Sequence, residues 1–220
     1  MTAQELIGEL RSELRDLETR IRRHPFLDEL EAGRVDRERL RSFAGEQYHI
    51  IRSDLRSVAL LVGRFGASSS GPFFMATLQG ESLALQALTD FSAAVGLDAA
   101  ALEAYEPTPA AQAYPAYMAW LALYGSDAEV AAGYLVNFTA WGENCGRMSA
   151  ALRARYGLSA PATAFFDLFA APSAEFEPGG LAVVEAGLGR GVAPRLIKRA
   201  ARMLQWFENL YWDTLAGGRG

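Results

Sequence analysis

Residues 127–156 read DAEVAAGYLVNFTAWGENCGRMSAALRARY. Tyr134, Phe138, Trp141, Cys145, Met148 and Leu152 follow one another at alternating steps of four and three. That spacing places them on a single face of an α-helix, whereas in a strand they would scatter over both faces. The run holds no proline and is closed by Gly157, so it predicts one long helix. Its aromatic face needs a partner surface to cover it, which makes this helix the centre of a packed bundle.

The same spacing recurs on both sides, and no alternating strand pattern competes with it. Toward the C-terminus it predicts a short helix near 162–169, a glycine-weakened one near 176–188, and a last one from Pro194 to about Leu215. Toward the N-terminus, Pro107 and Pro109 start a helix that runs to Tyr124 and stops at Gly125. Before it come a short helix over 99–105 and a longer one from Pro72 to Val95, ended by Gly96. Residues 66–71, GASSSG, form a loop. Asp36 is the predicted N-cap of a helix reaching Phe65. The first helix is expected to be continuous from Ala3 to Arg23. His24-Pro25-Phe26 breaks it, and a short connection with a turn at Gly33 follows. Short connections favour antiparallel neighbours. The expectation is an all-α, single-domain helical bundle spanning 1–220.

With 220 residues, half of them apolar, the chain can bury a substantial core. A formal charge of −5 repels phosphate backbones, so direct nucleic-acid binding is not expected. No run approaches the roughly 18–20 apolar residues of a membrane span. The N-terminus is charged and amphipathic, unlike a signal peptide. One cysteine, Cys145, leaves no internal disulfide framework. These features together point to a reducing, cytoplasmic setting.

A carboxylate within an apolar helical stripe is costly unless paired or hydrogen-bonded, so such residues are candidates for chemistry. Glu81 sits in the seam Phe74, Leu78, Glu81, Leu85, Leu88. Glu208 lies between Leu204 and Trp212, flanked by Phe207 and Tyr211. Gln47 stands between Phe43 and Ile51, and Asp54 between Ile50 and Val58. The alternative for each is a buried polar group satisfied by a neighbouring arginine, tyrosine or backbone group. Two such glutamates in one domain are the usual material of general acid–base catalysis. Glu143 and Arg147, four apart, read as an exposed helix pair. His49 falls on a polar face and is expected to be exposed. His24, at a helix boundary, reads as a cap or loop contact. Cys145 reads as a small core residue. Two histidines leave too few nitrogen ligands for a bundle-type dinuclear iron site. No metal or cofactor is expected, and dinucleotide and phosphate-loop fingerprints are absent.

Three segments in order resemble the TenA/thiaminase II branch of the heme-oxygenase-like superfamily. HPFLDELEAGRVDRERLRSFAGEQYHI (24–50) is similar to that family's opening, in which His-Pro-Phe precedes a helix with a Gln-Asp-Tyr-like element. EPTPAAQAYPAYMAWLALYGSDAEVAAGYLVNFTAWGENCGRM (106–148) resembles its middle, and FENLYWDTL (207–215) its closing element. The resemblance implies a heme-oxygenase-like bundle with a central pocket for the aminopyrimidine half of thiamin, assembled as a homodimer or dimer of dimers. It assigns Glu208 as the acid/base and Tyr114 as a pocket tyrosine. Gln47 stands where the family has its aspartate, one residue before Tyr48, and Ile50 where it has a second tyrosine. Phe138 occupies the position of the catalytic cysteine, and Cys145 lies about two turns further on. These departures imply a divergent member with the pocket retained and the substrate changed.

The resulting expectation is a hydrolase or C–N-cleaving enzyme acting on a small, thiamin-pyrimidine-like heteroaromatic. Glu208 and Glu81 are the expected catalytic residues. Gln47, Tyr48, Tyr114, Phe138, Trp141 and Tyr211 are the expected substrate contacts. The alternative is a non-catalytic ligand-binding or regulatory protein on the same scaffold. A third reading is a metal-dependent oxidase, in which Glu81 resembles the first iron ligand but Leu88 replaces an expected histidine.

Overall fold

The computed structural model describes residues 1–217. The last three residues of the expected 1–220 domain lie outside the described residues. The described residues form eleven helices: α1 (Ala3–Glu13), α2 (Arg15–Arg22), α3 (Pro25–Glu31), α4 (Arg37–Phe65), α5 (Gly71–Val95), α6 (Ala99–Glu103), α7 (Pro109–Tyr124), α8 (Asp127–Tyr156), α9 (Ala160–Ala170), α10 (Phe176–Gly189) and α11 (Pro194–Leu215). No strand occurs among them.

Local chemistry sets the ends of the long helices. Asp36 caps α4 by accepting the Arg39 N–H at 2.8 Å. Ser126 and Glu129 form a reciprocal capping box at the start of α8. At its other end Gly157 takes φ 65°, a left-handed conformation that favours glycine.

Two stretches differ from the sequence-based expectation. The first helix is interrupted at Leu14 (φ −95°, ψ 4°). The bend lets α1 pack beside α10 and α8 while α2 follows α11 and α8, so that Leu6, Leu10, Leu14, Leu17 and Ile21 are all buried. The expected connection after His24 contains α3. Pro25 ends one helix and begins the next, because its missing N–H and fixed φ suit a first helical position. Phe26, Leu27 and Leu30 go into the core from this extra turn.

Six helices close into a ring: α5 packs on α4, α4 on α7, α7 on α11, α11 on α8, α8 on α9, and α9 returns to α5. In this ring α11 stands opposite α5. The remaining helices cover the outside, with α10 along α8 and with α2 and α3 across α8 and α11. The contact between α8 and α11 is close at Gly133, where a Cβ would meet Leu204 Cδ1 at 2.3 Å. At the N-terminus of α8, the buried Asp127 accepts hydrogen bonds from Arg190 Nη2 at 2.6 Å and Ser70 Oγ at 2.5 Å, tying α10 and α5 to α8.

Glu143 and Arg147 do not pair with each other. Both lie at the seam between α8 and the α2–α3 segment, where Arg22 takes Glu143 at 2.6 Å and Arg147 takes Glu31 at 2.6 Å. His49 is half-buried rather than exposed, its ring stacked on Tyr105 with centroids 6.3 Å apart. The turn after α6 folds back over α4 and covers it. No helix among the described residues is long and apolar enough to cross a membrane.

Candidate functional site

All six helices of the ring contribute side chains to one central cavity. From α4, Gln47, Ile50, Ile51 and Asp54 recur at helical steps and so share the inward face. Glu81 enters from α5, Tyr114 from α7, and Asn137, Phe138 and Trp141 from α8. Phe169 of α9 and Glu208 and Tyr211 of α11 complete the wall. The cavity volume is about 40 Å³. Water needs some 10–15 Å³ of such space, and a cavity of ~150 Å³ accepts benzene. An aromatic ligand therefore requires side chains to give way. Phe138 and Phe169, half-buried and edge-to-face at 6.0 Å, form the wall with most freedom to do so.

Glu208 is 5 % exposed. The Trp212 indole N–H, one turn further along α11, donates to its Oε1 at 2.6 Å. Trp212 is itself fixed by the rings of His24, Phe26 and Trp141, at 6.2, 6.2 and 5.7 Å. His24 is in turn held between two contacts, accepting the Phe26 N–H as the cap of α3 and meeting Asp213 at 3.2 Å. Burial lifts the Glu208 carboxyl to about 7, against the opposing pull of the indole hydrogen bond. A group poised there takes up and releases protons at neutral pH.

Glu81 and Asp54 occupy the part of the wall formed by α5 and α4. Burial raises Glu81 to about 7. Asp54 is raised well above the ordinary carboxylate range by burial and then by the charge of Glu81. Two neighbouring buried carboxylates resist ionising together. Beside them, the Tyr114 hydroxyl donates to Asn137 Oδ1 at 3.4 Å, and Asn137 Nδ2 donates to Gln205 Oε1 at 3.4 Å.

The ring thus brings Glu208, Glu81, Gln47, Tyr114, Phe138, Trp141 and Tyr211 to one cavity. Tyr48, expected as a substrate contact, is the exception and lies outside the cavity. Successive helical residues point about 100° apart, so with Gln47 inward Tyr48 leaves the bundle. Its hydroxyl donates to Glu103 at 2.6 Å and accepts from Arg52 at 2.9 Å. Asn137 and Phe169 line the cavity without a sequence-based expectation, and Asp54, a seam carboxylate expected to have neither a catalytic nor a contact role, lines it too. For Asp54 the signal was present, since it lies two turns from Gln47 on the same face. Asn137 carried none beyond its place one turn before Trp141. Cys145 is fully buried and is not part of the cavity wall, and burial pushes its thiol up. Among the described residues no three His, Cys, Asp or Glu side chains are grouped so as to hold a metal ion. The donor set does not fit the iron chemistry that the third reading would need.

Six helices closed around a small acidic and aromatic chamber define an all-α bundle with a central cavity. The chain belongs to the TENA/THI-4/PQQC family, whose model matches residues 11–167. Solved structures agree on the fold. A TenA homologue from Pyrococcus furiosus superimposes with a TM-score of 0.76 at 20 % identity, covering 96 % of this chain and 99 % of that one. A TenA family transcription regulator from a Silicibacter species gives 0.74 at 17 %, over 97 % and 96 %. A domain from Shewanella denitrificans, of unknown function and with a heme oxygenase-like fold, gives 0.68 at 16 %, over 100 % and 97 %. No curated protein matches the chain significantly.

Proposed function

We propose that this protein is a hydrolase that cleaves a C–N bond of a small, thiamin-pyrimidine-like heteroaromatic, using Glu208 as its acid and base and water as its nucleophile. The observation that carries this reading is Glu208 itself, a buried carboxyl at the cavity wall, oriented by Trp212 at 2.6 Å and lifted to about 7. In its ionised form Glu208 takes a proton from water as the water oxygen attacks the ring carbon that bears the leaving nitrogen. The ring accepts the electron pair at an adjacent nitrogen. The pair then returns, the C–N bond breaks, and protonated Glu208 gives its proton to the departing amine. Water is consumed, a hydroxy-heteroaromatic and an amine leave, and Glu208 is restored. Phe138 and Trp141 would flank the ring, while Tyr114 and Gln47 would orient its polar edge.

The first test is a thermal-shift titration with the aminopyrimidine and hydroxypyrimidine fragments of thiamin. A ligand at about 100 times its dissociation constant adds roughly 2.7 kcal/mol, which for a domain of this size raises the midpoint by roughly 5–10 °C. A shift, followed by product formation that Glu208→Gln abolishes, supports the reading. Turnover unchanged in Glu208→Gln would refute it. Ligand binding without turnover would favour the second reading, a ligand-binding or regulatory protein. That alternative is supported by the position of Cys145, which leaves no thiol nucleophile on the cavity wall.

A further inference from the structure

We propose that Asp54 and Glu81 form a recognition site for a planar cationic N–H donor, an amidinium or similarly protonated nitrogen group, carried by the ligand at the end remote from Glu208. This deepens the hydrolase reading and rests on it for the fate of the ligand, though not for its binding.

The two carboxylates are 4 % and 6 % exposed. Neither accepts a hydrogen bond from any described residue, and Asp54 Oδ1 is a fully buried acceptor on the cavity wall with no partner. On the same wall Tyr211, 1 % exposed, has a hydroxyl without a hydrogen-bond partner of good geometry. A buried acceptor without a partner calls for an explanation, and one that faces a cavity is placed to be satisfied by a bound group. The charged and titratable groups facing the pair are Tyr114 from α7, Tyr134 from α8, and Glu208 and Tyr211 from α11, while α9 supplies only Phe169. Among the described residues no arginine, lysine or histidine lines the cavity, so they offer no countercharge.

The geometry selects the partner. Because α5 stands opposite α11 in the ring, Glu81 and Glu208 enter from facing walls, with Asp54 beside Glu81 on α4. One ligand can therefore meet an acid/base at one end and a carboxylate pair at the other. Paired carboxylates bind a flat, forked N–H donor through two parallel charge-assisted hydrogen bonds. A metal ion would need a third clustered donor, which is not found among the described residues. A narrow chamber between aromatic walls admits a planar group more readily than a tetrahedral one. Near neutral pH the pair holds a proton, because its two members resist ionising together. A bound cation displaces that proton, so binding and proton release are linked.

The test is calorimetric titration of the whole chain at pH 7.5 with acetamidine and benzamidine against the neutral isosteres acetamide and benzamide. Two buffers of different ionisation enthalpy count the protons released. The amidines are expected to bind at least tenfold more tightly than the amides, with release of a fraction of a proton. Asp54→Asn and Glu81→Gln should each reduce that preference at least tenfold, with folding checked by thermal melting. Equal binding of amidine and amide, or an undiminished preference in both carboxamide variants, would overturn the proposal. Should either variant fail to fold, the wild-type preference and its proton release decide the matter by themselves. Amidine selectivity together with turnover indifferent to Glu208 would sink the hydrolase reading alone. Glu208-dependent turnover without selectivity would sink this proposal alone.

Discussion

Replacing Glu208 with glutamine is expected to stabilise the protein at pH 8 and to leave it nearly unchanged at pH 4. The Glu208 carboxyl rises from an ordinary 4.5 to about 7 because the folded chain buries it. One pKa unit corresponds to about 1.4 kcal/mol, so the difference is worth roughly 3 kcal/mol once the group is ionised in both states. The folded value lies above the unfolded one, so the proton favours the folded state. That contribution is fully present below 4.5, declines as the pH climbs from there to about 7, and is lost above it. Glutamine carries no charge to desolvate, and its carbonyl oxygen can still accept the Trp212 N–H. At pH 8 the variant should therefore melt roughly 6–12 °C above the parent, using 2–4 °C per kcal/mol for a domain of this size. At pH 4 the two midpoints should nearly coincide. Calorimetric melting of both proteins across pH 4–8 measures the difference directly and cancels every other titrating group. A constant offset across that range, or a variant less stable at pH 8, would refute the argument that burial without a countercharge sets the behaviour of Glu208. The same variant should be inactive, which would make the acid/base group a cost to stability and a requirement for turnover.

Trp212→Phe removes the donor that holds the Glu208 carboxyl down, so the acidic limb of the pH–rate profile should move upward, and an unmoved limb would show that the indole does not act on Glu208. Cys145 is fully buried and its thiol is pushed up by that burial, so a thiol reagent should label the native protein only as fast as it opens, and rapid labelling at pH 7 would contradict the packing. Asp127→Ala removes the acceptor shared by Arg190 and Ser70, which should cost about 2 kcal/mol and lower the melting point by roughly 4–8 °C without altering the central cavity. Unchanged melting would show that this tie between α5, α8 and α10 contributes nothing.

Helical spacing is a local property, and it carried the fold a long way. The bounds expected for α4, α8 and α11 agree with the structure to within a residue, because apolar spacing, a capping aspartate and terminal glycines or prolines act over a few residues of chain. The same locality explains the errors near the N-terminus. The bend at Leu14 follows from the surfaces of α8, α10 and α11 that α1 and α2 must cover, whereas α3 has a local start, Pro25 at a first helical position capped by His24, but too few residues for its spacing to stand out.

The site divides along the same line. Glu208, Glu81 and Gln47 are legible because a polar group stands out within an apolar seam, and Tyr114 is legible through family resemblance. The outward turn of Tyr48 follows once Gln47 is known to face inward, but which of two adjacent polar residues faces the centre depends on where the neighbouring helices lie. Asp54 stood in a seam like the others, and only the packing of α4 on α5 made it half of a pair with Glu81. The sequence by itself determined that the chain is helical, which faces are buried, and that carboxylates lie among the buried residues. Tertiary structure alone decided that six helices close into a ring, that α11 faces α5 across it, and that the carboxylates divide between opposite walls. Those relations join residues far apart in the chain, and no periodicity within one helix can record the surface that another helix presents to it.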